Sequence, residues 1–410
     1  MITGRWIRRP PLVGAALDRV LEARLEWSTD TLAEWARDQL RRRLELAARL
    51  PVYRGAGPDL GSFPLLSRES LGGDPDAFVD PRWPRGLLRS VATSGSSGRP
   101  IRFWRDPLSA LLEDAFLRRQ LRAFGVAGEA LAIRAEGPRD GAPRIDRAPT
   151  RPEWRLAASR VDDEAVRQVV RLLEDRSIRL VRAYPSAAVE LVRRAEVLGL
   201  GDRLRAAPVE VVHLSSETVT PEARRRIADG WGARVAEQYG LAERALLAQS
   251  CPAGSLHLIT DYAHGEVVDG EWVGTPLFGG GAVLVRYRTG DLAGAPEDDG
   301  LPCVCGWPFP RIGRVDGRRD AVITTSDGRR VGRLGPALRG VEGLDQVQAE
   351  WRPGRVLLRF VAEPHAEGVR ERLGRSVAEL LQDPGTEIEL VESPPLRGPG
   401  GRVRAVIRGD

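Results

Sequence analysis

The sequence predicts an α/β protein with a large, mostly parallel main sheet and a smaller mixed α/β part at the C-terminal end. Three observations carry that expectation. Short apolar runs at Leu131–Ile133, Ile178–Ala183 and Val209–Leu214 alternate with amphipathic segments of helical length. The chain has 410 residues, 42% hydrophobic and 29% charged, which suits a large buried core and more than one domain. From Val315 onward two strand-like runs flank the turn Arg352-Pro353-Gly354, and a helical segment and another strand follow.

In chain order, residues 14–50 carry leucines at helical spacing and predict two helices broken near Thr29–Asp30. Leu108–Phe124 predicts a long amphipathic helix. Residues 137–153, rich in Pro, Gly and Arg, read as an exposed loop. Asp162–Asp175, Ala187–Leu198 and Pro221–Gly230 read as helices, the last with proline at its start. In the C-terminal part, Val347–Trp351 and Arg355–Val361 pair as strands, Val369–Leu381 is a helix and Glu387–Val391 a strand.

Composition bounds the function classes. No apolar run approaches the ~20 residues of a membrane span, and Met1–Arg9 leads into no signal-like segment. A cytoplasmic, membrane-free protein is expected. The net charge is +5, with basic and acidic residues interleaved, so no nucleic-acid-binding patch is expected. Lysine and asparagine are both absent, so every basic side chain apart from histidine is arginine. Their joint loss fits depletion of A-rich codons.

One stretch organises the rest. Thr93-Ser94-Gly95-Ser96-Ser97-Gly98-Arg99-Pro100 lies between two strand-like runs. Its glycines, four hydroxyls and an arginine make a donor-rich cradle for a polyphosphate. A Ser/Gly-rich hairpin turn accounts for the same residues equally well. The stretch resembles the phosphate loop T-S-G-[ST]-[ST]-G-K-P of adenylate-forming enzymes, with Arg99 in place of lysine. Pro51-Val52-Tyr53-Arg54 and Phe63–Arg68 resemble N-terminal segments of the phenylacetate–CoA ligase family within that group. These two segments are read as structural.

Further motifs follow in the family's order. Ser215-Ser216-Glu217, at the end of a predicted strand, resembles the S-x-E segment that lines the adenine pocket; a helix-start signal is the alternative reading. Gln238–Glu243 resembles Y-G-x-[ST]-E, with Ala242 in the hydroxyl position. There Gly240 permits a turn after the strand, Tyr239 stacks on the base, and Glu243 is a magnesium ligand near the phosphates. Val285–Asp291 contains R-Y-R-T-G-D, a strand with a terminal Asp291 suited to two vicinal ribose hydroxyls. Ile312–Asp316 resembles the G-R-x-D-D hinge, with Arg314 reaching phosphate or ribose and Gly317 in the second acidic position. The tail Gly398–Arg404 resembles S-G-K-x-[RK], with Arg402 where the family has the lysine that stabilises carboxylate and α-phosphate.

The resemblance implies a large adenylate-forming domain over residues 1–311 and a small α+β C-terminal lid domain over 312–410. It implies ATP-dependent, AMP-forming activation of an aryl or short acyl carboxylic acid, then transfer to a thiol, with CoA the expected co-substrate. The site residues it implies are Arg402, Arg314 and Glu243 for catalysis. Thr93, Ser94, Gly95, Ser96, Ser97, Gly98, Arg99, Ser216, Glu217, Tyr239, Gly240, Asp291 and Arg314 would hold ATP and AMP. Transfer to an amine or a carrier-protein thiol, or a binding-only relative, are the alternatives. The acid pocket is expected around Tyr184, Ser186 and His213.

The three cysteines do not form a disulfide framework. Cys251, His257, Cys303 and Cys305 are a set of three thiols and one imidazole, and structural zinc is favoured over three buried free thiols. Some members of the family carry a comparable cluster around the R-Y-R-T-G-D segment.

Overall fold

The computed structural model describes residues 11–92, 101–134, 144–149, 151–294, 302–318, 323–325, 330–331, 341–352, 354–363, 366–397 and 406–408. The phosphate-loop stretch 93–100, Arg402 and the tail motif around it lie outside the described residues. The chain divides into two compact units, Met1–Ala127 with Gln238–Val315, and Gly128–Glu237 with Asp316–Asp410.

The first unit opens with helices α1 (Pro11–Ala23) and α2 (Thr29–Ala47), as the leucine spacing predicts. Ser28 caps α2, its Oγ accepting from Thr31 N at 3.1 Å. The short helix α3 (Arg68–Gly73) precedes a hairpin of β1 (Arg89–Ala92) and β2 (Arg102–Arg105). Asp106 caps α4 (Pro107–Ala123), with Pro107 at its start.

The second unit carries the parallel sheet. Strands β3 (Ala130–Arg134), β5 (Glu153–Ala157), β6 (Leu180–Ala183) and β7 (Val211–Ser215) run parallel in the order β5–β3–β6–β7. A short antiparallel strand, β4 (Ile145–Arg147), pairs with β5 at the edge. The expected loop over 137–153 therefore contains a strand: Ile145 pairs with Leu156 and Arg155 grips Asp146 at 2.9 Å. Polar composition hid an edge strand that needs only one apolar side chain on its inner face.

Helices α5 (Asp163–Asp175), α6 (Pro185–Val197), α7 (Gly201–Arg205) and α8 (Pro221–Trp231) cover the sheet. Helix α8 ends at Gly232, with φ +59°, where an added Cβ would lie 2.6 Å from the Arg205 carbonyl oxygen. Only glycine fits there.

Strand β8 (Arg234–Gly240) carries the chain back into the first unit. There β8 pairs antiparallel with β9 (Leu247–Ser250), which pairs with β10 (Leu256–Leu258). A separate antiparallel set contains β11 (Ala263–Val268), β12 (Glu271–Pro276) and β13 (Tyr287–Ala293). Beyond β14 (Val315–Arg318) and the two-residue strands β15 (Ile323–Thr324) and β16 (Arg330–Val331) comes the C-terminal sheet.

In that sheet β17 (Leu344–Arg352) and β18 (Arg355–Ala362) form the expected antiparallel pair. The strand β19 (Glu387–Glu392) runs parallel to β18, and β20 (Val406–Arg408) parallel to β17. Helix α9 (Val369–Leu381) buries Val369, Leu373, Val377 and Leu381, one face at four-residue spacing. Within this unit α8 packs against β17.

Candidate functional site

Strand β13 and the turn after β8 bring the first unit's motif residues together. The phenol of Tyr239 donates to Asp291 Oδ2 at 2.8 Å across 52 positions of sequence. Tyr239 is the next-to-last residue of β8, before Gly240, and Asp291 is buried within β13. The sequence expectation places Asp291 at the end of a strand beginning at Val285. The strand instead begins at Tyr287 and continues past Asp291 to Ala293. Arg286 has φ +52°, a left-handed residue that redirects the chain just before the strand.

The N-terminal motifs brace this strand. Tyr53 OH donates to Val283 O at 2.8 Å and accepts from Val285 N at 3.0 Å. Leu66 bridges Tyr287, with Leu66 N on Arg286 O at 2.9 Å and Arg288 N on Leu66 O at 2.8 Å. The structural reading of Tyr53 and of 63–68 matches these contacts. Arg68 goes further, since its Nη1 lies 3.5 Å from Glu243 Oε1. No local spacing announces that contact.

Glu243 sits in a tight turn, closed by Arg244 N on Leu241 O at 3.1 Å. Gly240 belongs to β8 rather than to that turn, and Arg244, with φ +62°, supplies the left-handed position instead. Glu243 is buried, and Tyr287 OH donates to its Oε1 at 3.0 Å. Among the described residues both partners of this carboxylate fall on Oε1, which leaves Oε2 as the oxygen able to meet a cation. The Arg314 backbone packs onto Gly294, where an added Cβ would lie 2.0 Å from the Arg314 carbonyl oxygen. That close approach ties the expected hinge segment to the end of β13.

The second unit holds the remaining described motif. Ser216 follows β7 with φ +77°. The carboxylate of Glu217 accepts from Ser186 N at 2.9 Å and from Ser186 Oγ at 3.0 Å, at the start of α6. Arg397 Nη1 donates to the same Ser186 Oγ at 3.3 Å. Burial lowers the Arg397 pKa, opposed by the nearby charge of Glu217. Arg134, at the end of β3, donates to Ser215 Oγ at 2.9 Å. Tyr184 and His213, expected near the acid pocket, are buried at the start of α6 and in β7. Sequence reasoning missed Arg134 and Arg397, because in a chain whose basic residues are nearly all arginine no single arginine stands out.

The four expected metal ligands converge. The Sγ atoms of Cys251, Cys303 and Cys305 and a ring nitrogen of His257 all lie within 4.8 Å of one another. Cys251 and Cys303 sulfurs are 3.9 Å apart, and Cys305 Sγ lies 3.5 Å from His257 Nε2. Metal–sulfur bonds of about 2.3 Å and a metal–nitrogen bond of about 2.0 Å at tetrahedral angles give edges of about 3.8 and 3.5 Å. His257 Nδ1 lies 2.8 Å from Phe309 O, so that nitrogen carries the proton and Nε2 faces the thiols with its lone pair. Burial lowers the His257 pKa and favours the neutral, ligating ring. Burial pushes the Cys251 thiol up and Cys305 up to about 12. At Cys303 burial also raises the thiol, but hydrogen bonds led by the Cys305 backbone outweigh it and lower the pKa. The donor set therefore fits a closed tetrahedral cation site.

No family model and no curated protein matches the chain. Solved structures do. A 2-hydroxyisobutyryl-CoA ligase in its postadenylation state, in complex with 2-HIB-AMP, superposes with a TM-score of 0.68 at 17% identity, covering 91% of this chain and 88% of that one. An open conformation of that ligase, with 2-HIB-AMP and CoA, gives 0.56 at 18% identity, covering 90% of each chain. The ATP-bound RpMatB-BxBclM chimera B3 gives 0.52 at 14% identity, covering 77% of this chain and 66% of the chimera. Identities this low speak to architecture alone: this chain has the fold of the adenylate-forming CoA ligases.

Proposed function

We propose that this protein activates a carboxylic acid with ATP and passes the acyl group to a thiol, with CoA the expected acceptor. The observation that carries the reading is the 2.8 Å contact between Tyr239 and Asp291. It sets an aromatic ring able to stack on a base beside a carboxylate able to accept from ribose hydroxyls. The fold and the order of the motifs along the chain support it. The phenylacetate–CoA ligase-like subtype is supported by the same motifs and by the Cys/His set.

A substrate carboxylate oxygen attacks the α-phosphorus of ATP, and the bond to the bridging oxygen of pyrophosphate breaks. The thiolate then attacks the acyl carbon, and AMP leaves with the bonding pair. In this reading Thr93–Arg99 cradle the pyrophosphate, Ser216 and Glu217 border the adenine, and Gly240 keeps the backbone beside Tyr239 open. Arg314 and Arg402 meet the charge that develops at the α-phosphate. The chain's contribution is positioning and charge stabilisation. Glu243 would hold Mg²⁺, which neutralises phosphate charge when bound. Cys251, His257, Cys303 and Cys305 would hold a structural Zn²⁺ that pins the segments around β9 and β10. Residues 1–311 would form the large domain and 312–410 the mobile one, whose rotation separates the half-reactions.

No described helix is long and apolar enough to cross a membrane. The three free thiols suit a reducing, cytoplasmic setting.

The test is carboxylate-dependent exchange of pyrophosphate into ATP over a panel of aryl and short aliphatic acids. Exchange with one acid that collapses in Arg402→Ala and survives in Arg402→Lys is expected. AMP release is then compared with CoA, a carrier-protein thiol and an amine as acceptor. Tight ATP binding without exchange for any acid sinks the reading in favour of a binding-only protein.

A further inference from the structure

The turn that carries Glu243 is gripped from both sides by arginines outside every motif. Arg105, the last residue of β2, donates through Nη2 to the carbonyl oxygen of Ala242. Arg244, on the other side, donates through Nη1 to Ser109 Oγ at 2.6 Å and pairs through Nη2 with Glu113, both on α4. Ser109 is held in turn, since its Oγ donates to Asp106 O at 2.9 Å and its N–H to Asp106 Oδ1 at 2.9 Å. The next carbonyl, Ala245 O, would lie 2.3 Å from a Cβ at Gly274, so the turn is seated directly on β12.

The backbone shows what this grip does. A non-glycine residue with φ near +60° costs of order 1–3 kcal/mol and persists only where its surroundings over-determine it. Arg244 stands at +62° and its side chain is buried. Its anchoring on α4 provides that determination. Burial lowers the Arg105 pKa to about 10, with Arg244 adding to the shift, so two cations share one small buried region. Glu113 and Glu243 balance them there. Between these grips Glu243 turns Oε1 to Tyr287 and Arg68 and leaves Oε2 for a cation.

We infer that Arg105 and Arg244 are positioning residues for Glu243, fixing the peptide on either side of it so that its carboxylate is aimed as a divalent-cation ligand during adenylation. The inference rests on the adenylation reading.

The experiment uses the full chain with Arg105→Met, Arg105→Lys, Arg244→Gly and Arg244→Lys. Arg244→Gly removes the anchor while accepting the positive φ. Manganese with ATP is the probe, free Mn²⁺ being read by electron paramagnetic resonance, alongside the Mg²⁺ dependence of pyrophosphate exchange. Loss of an orienting partner weakens metal binding by roughly 10–100-fold. Arg105→Met and Arg244→Gly should raise the half-saturating metal concentration by about tenfold or more, leave ATP affinity in EDTA within about twofold, and be rescued in part by the lysine variants.

Folded variants with an unchanged metal requirement overturn the inference while leaving adenylation intact. Should Arg105→Met fail to fold, Arg244→Gly and Arg105→Lys carry the same comparison. Metal-dependent ATP binding that the variants weaken, in a wild type that exchanges no pyrophosphate, sinks the adenylation reading alone. A wild type whose ATP binding ignores metal overturns both.

Discussion

Each unit buries an arginine–aspartate pair, and the two pairs are built differently. In the first unit Arg119 meets Asp261 with both nitrogens, Nη1 on Oδ2 at 2.7 Å and Nη2 on Oδ1 at 3.1 Å. Arg24 adds a third contact at 3.4 Å, and the Arg119 guanidinium lies 4.9 Å from the ring centres of both Phe116 and Phe309. In the second unit Arg226, on α8, approaches Asp345, on β17, with Nε 3.3 Å from Oδ1. Neither Asp345 oxygen has a hydrogen bond among the described residues, and its side chain is wholly buried. Burial pushes the Asp345 carboxyl up to about 6, against the opposing charge of Arg226. Desolvating two charges is offset only when the geometry satisfies the remaining lone pairs and protons. The first pair meets that condition and works as a permanent clamp. The second does not, although it joins α8 to the strand that begins the C-terminal sheet.

The largest effect expected is from Arg119→Met. It leaves Asp261 buried beside a weaker partner and should cost about 3–5 kcal/mol, read as a fall in the urea midpoint. A loss below about 1 kcal/mol would mean that Arg24 alone carries Asp261, and the first pair would be no clamp. Chelation comes next. Phe309 stacks on Arg119 and also offers its carbonyl to His257, so the Cys/His cluster borders the first clamp. As-isolated protein should contain about one zinc per chain, and its removal should lower the melting temperature by several degrees. Chelation and Arg119→Met should then be non-additive, whereas chelation and a change at Asp345 should add. Additivity in both cases would break the proposed link between cluster and clamp.

Elements with a strong period were legible in the sequence. Helix α9 occupies Val369–Leu381 as its four-residue apolar spacing predicts, and β17 and β18 pair around the expected turn. Periodicity says which face of an element is buried but not which distant element covers it. The joining of 128–237 with 316–410 in one unit was therefore invisible, as was the Arg226–Asp345 contact. The Cys/His cluster was legible because cysteine is scarce and all three cysteines fall in one stretch of the chain. The arginine partners were not, because arginine is everywhere in this chain. Ser216 and Arg244 stand at positive φ without being glycine, asparagine or aspartate, so no residue type marked those turns.

The pH dependence of the weaker pair follows from the direction in which burial moves its carboxyl. The folded pKa of Asp345, about 6, lies above its ordinary 3.8, so the folded state takes up the proton more readily than the unfolded chain. The stabilisation is full below about pH 4, fades as pH rises through 6, and is absent at neutral pH, where the buried charge stands. A rise of that size corresponds to about 2–3 kcal/mol. Asp345→Asn should therefore melt higher than wild type at pH 7.5, with the gap closing as pH falls towards 4. A gap independent of pH would mean that Asp345 is neutral throughout or fully compensated, and the contrast between the two pairs would fail.

The smallest effect expected isolates what sets these differences. Arg203 Nη2 lies 2.7 Å from Glu174 Oε2, the same length as the first Arg119–Asp261 contact, and both pairs are bidentate. Exposure separates them, 53% and 39% for the surface pair against 1% and 0% for the clamp. In water the attraction is screened and the two long side chains lose rotamer freedom to hold one geometry. Arg203→Ala should therefore shift the melting temperature by less than about 1 °C, and raising salt should not change that result. If it shifted the melting temperature as far as Arg119→Met does, contact length would be the governing variable. Hydrogen-bond satisfaction under burial would then no longer explain why one buried pair clamps its unit and the other does not.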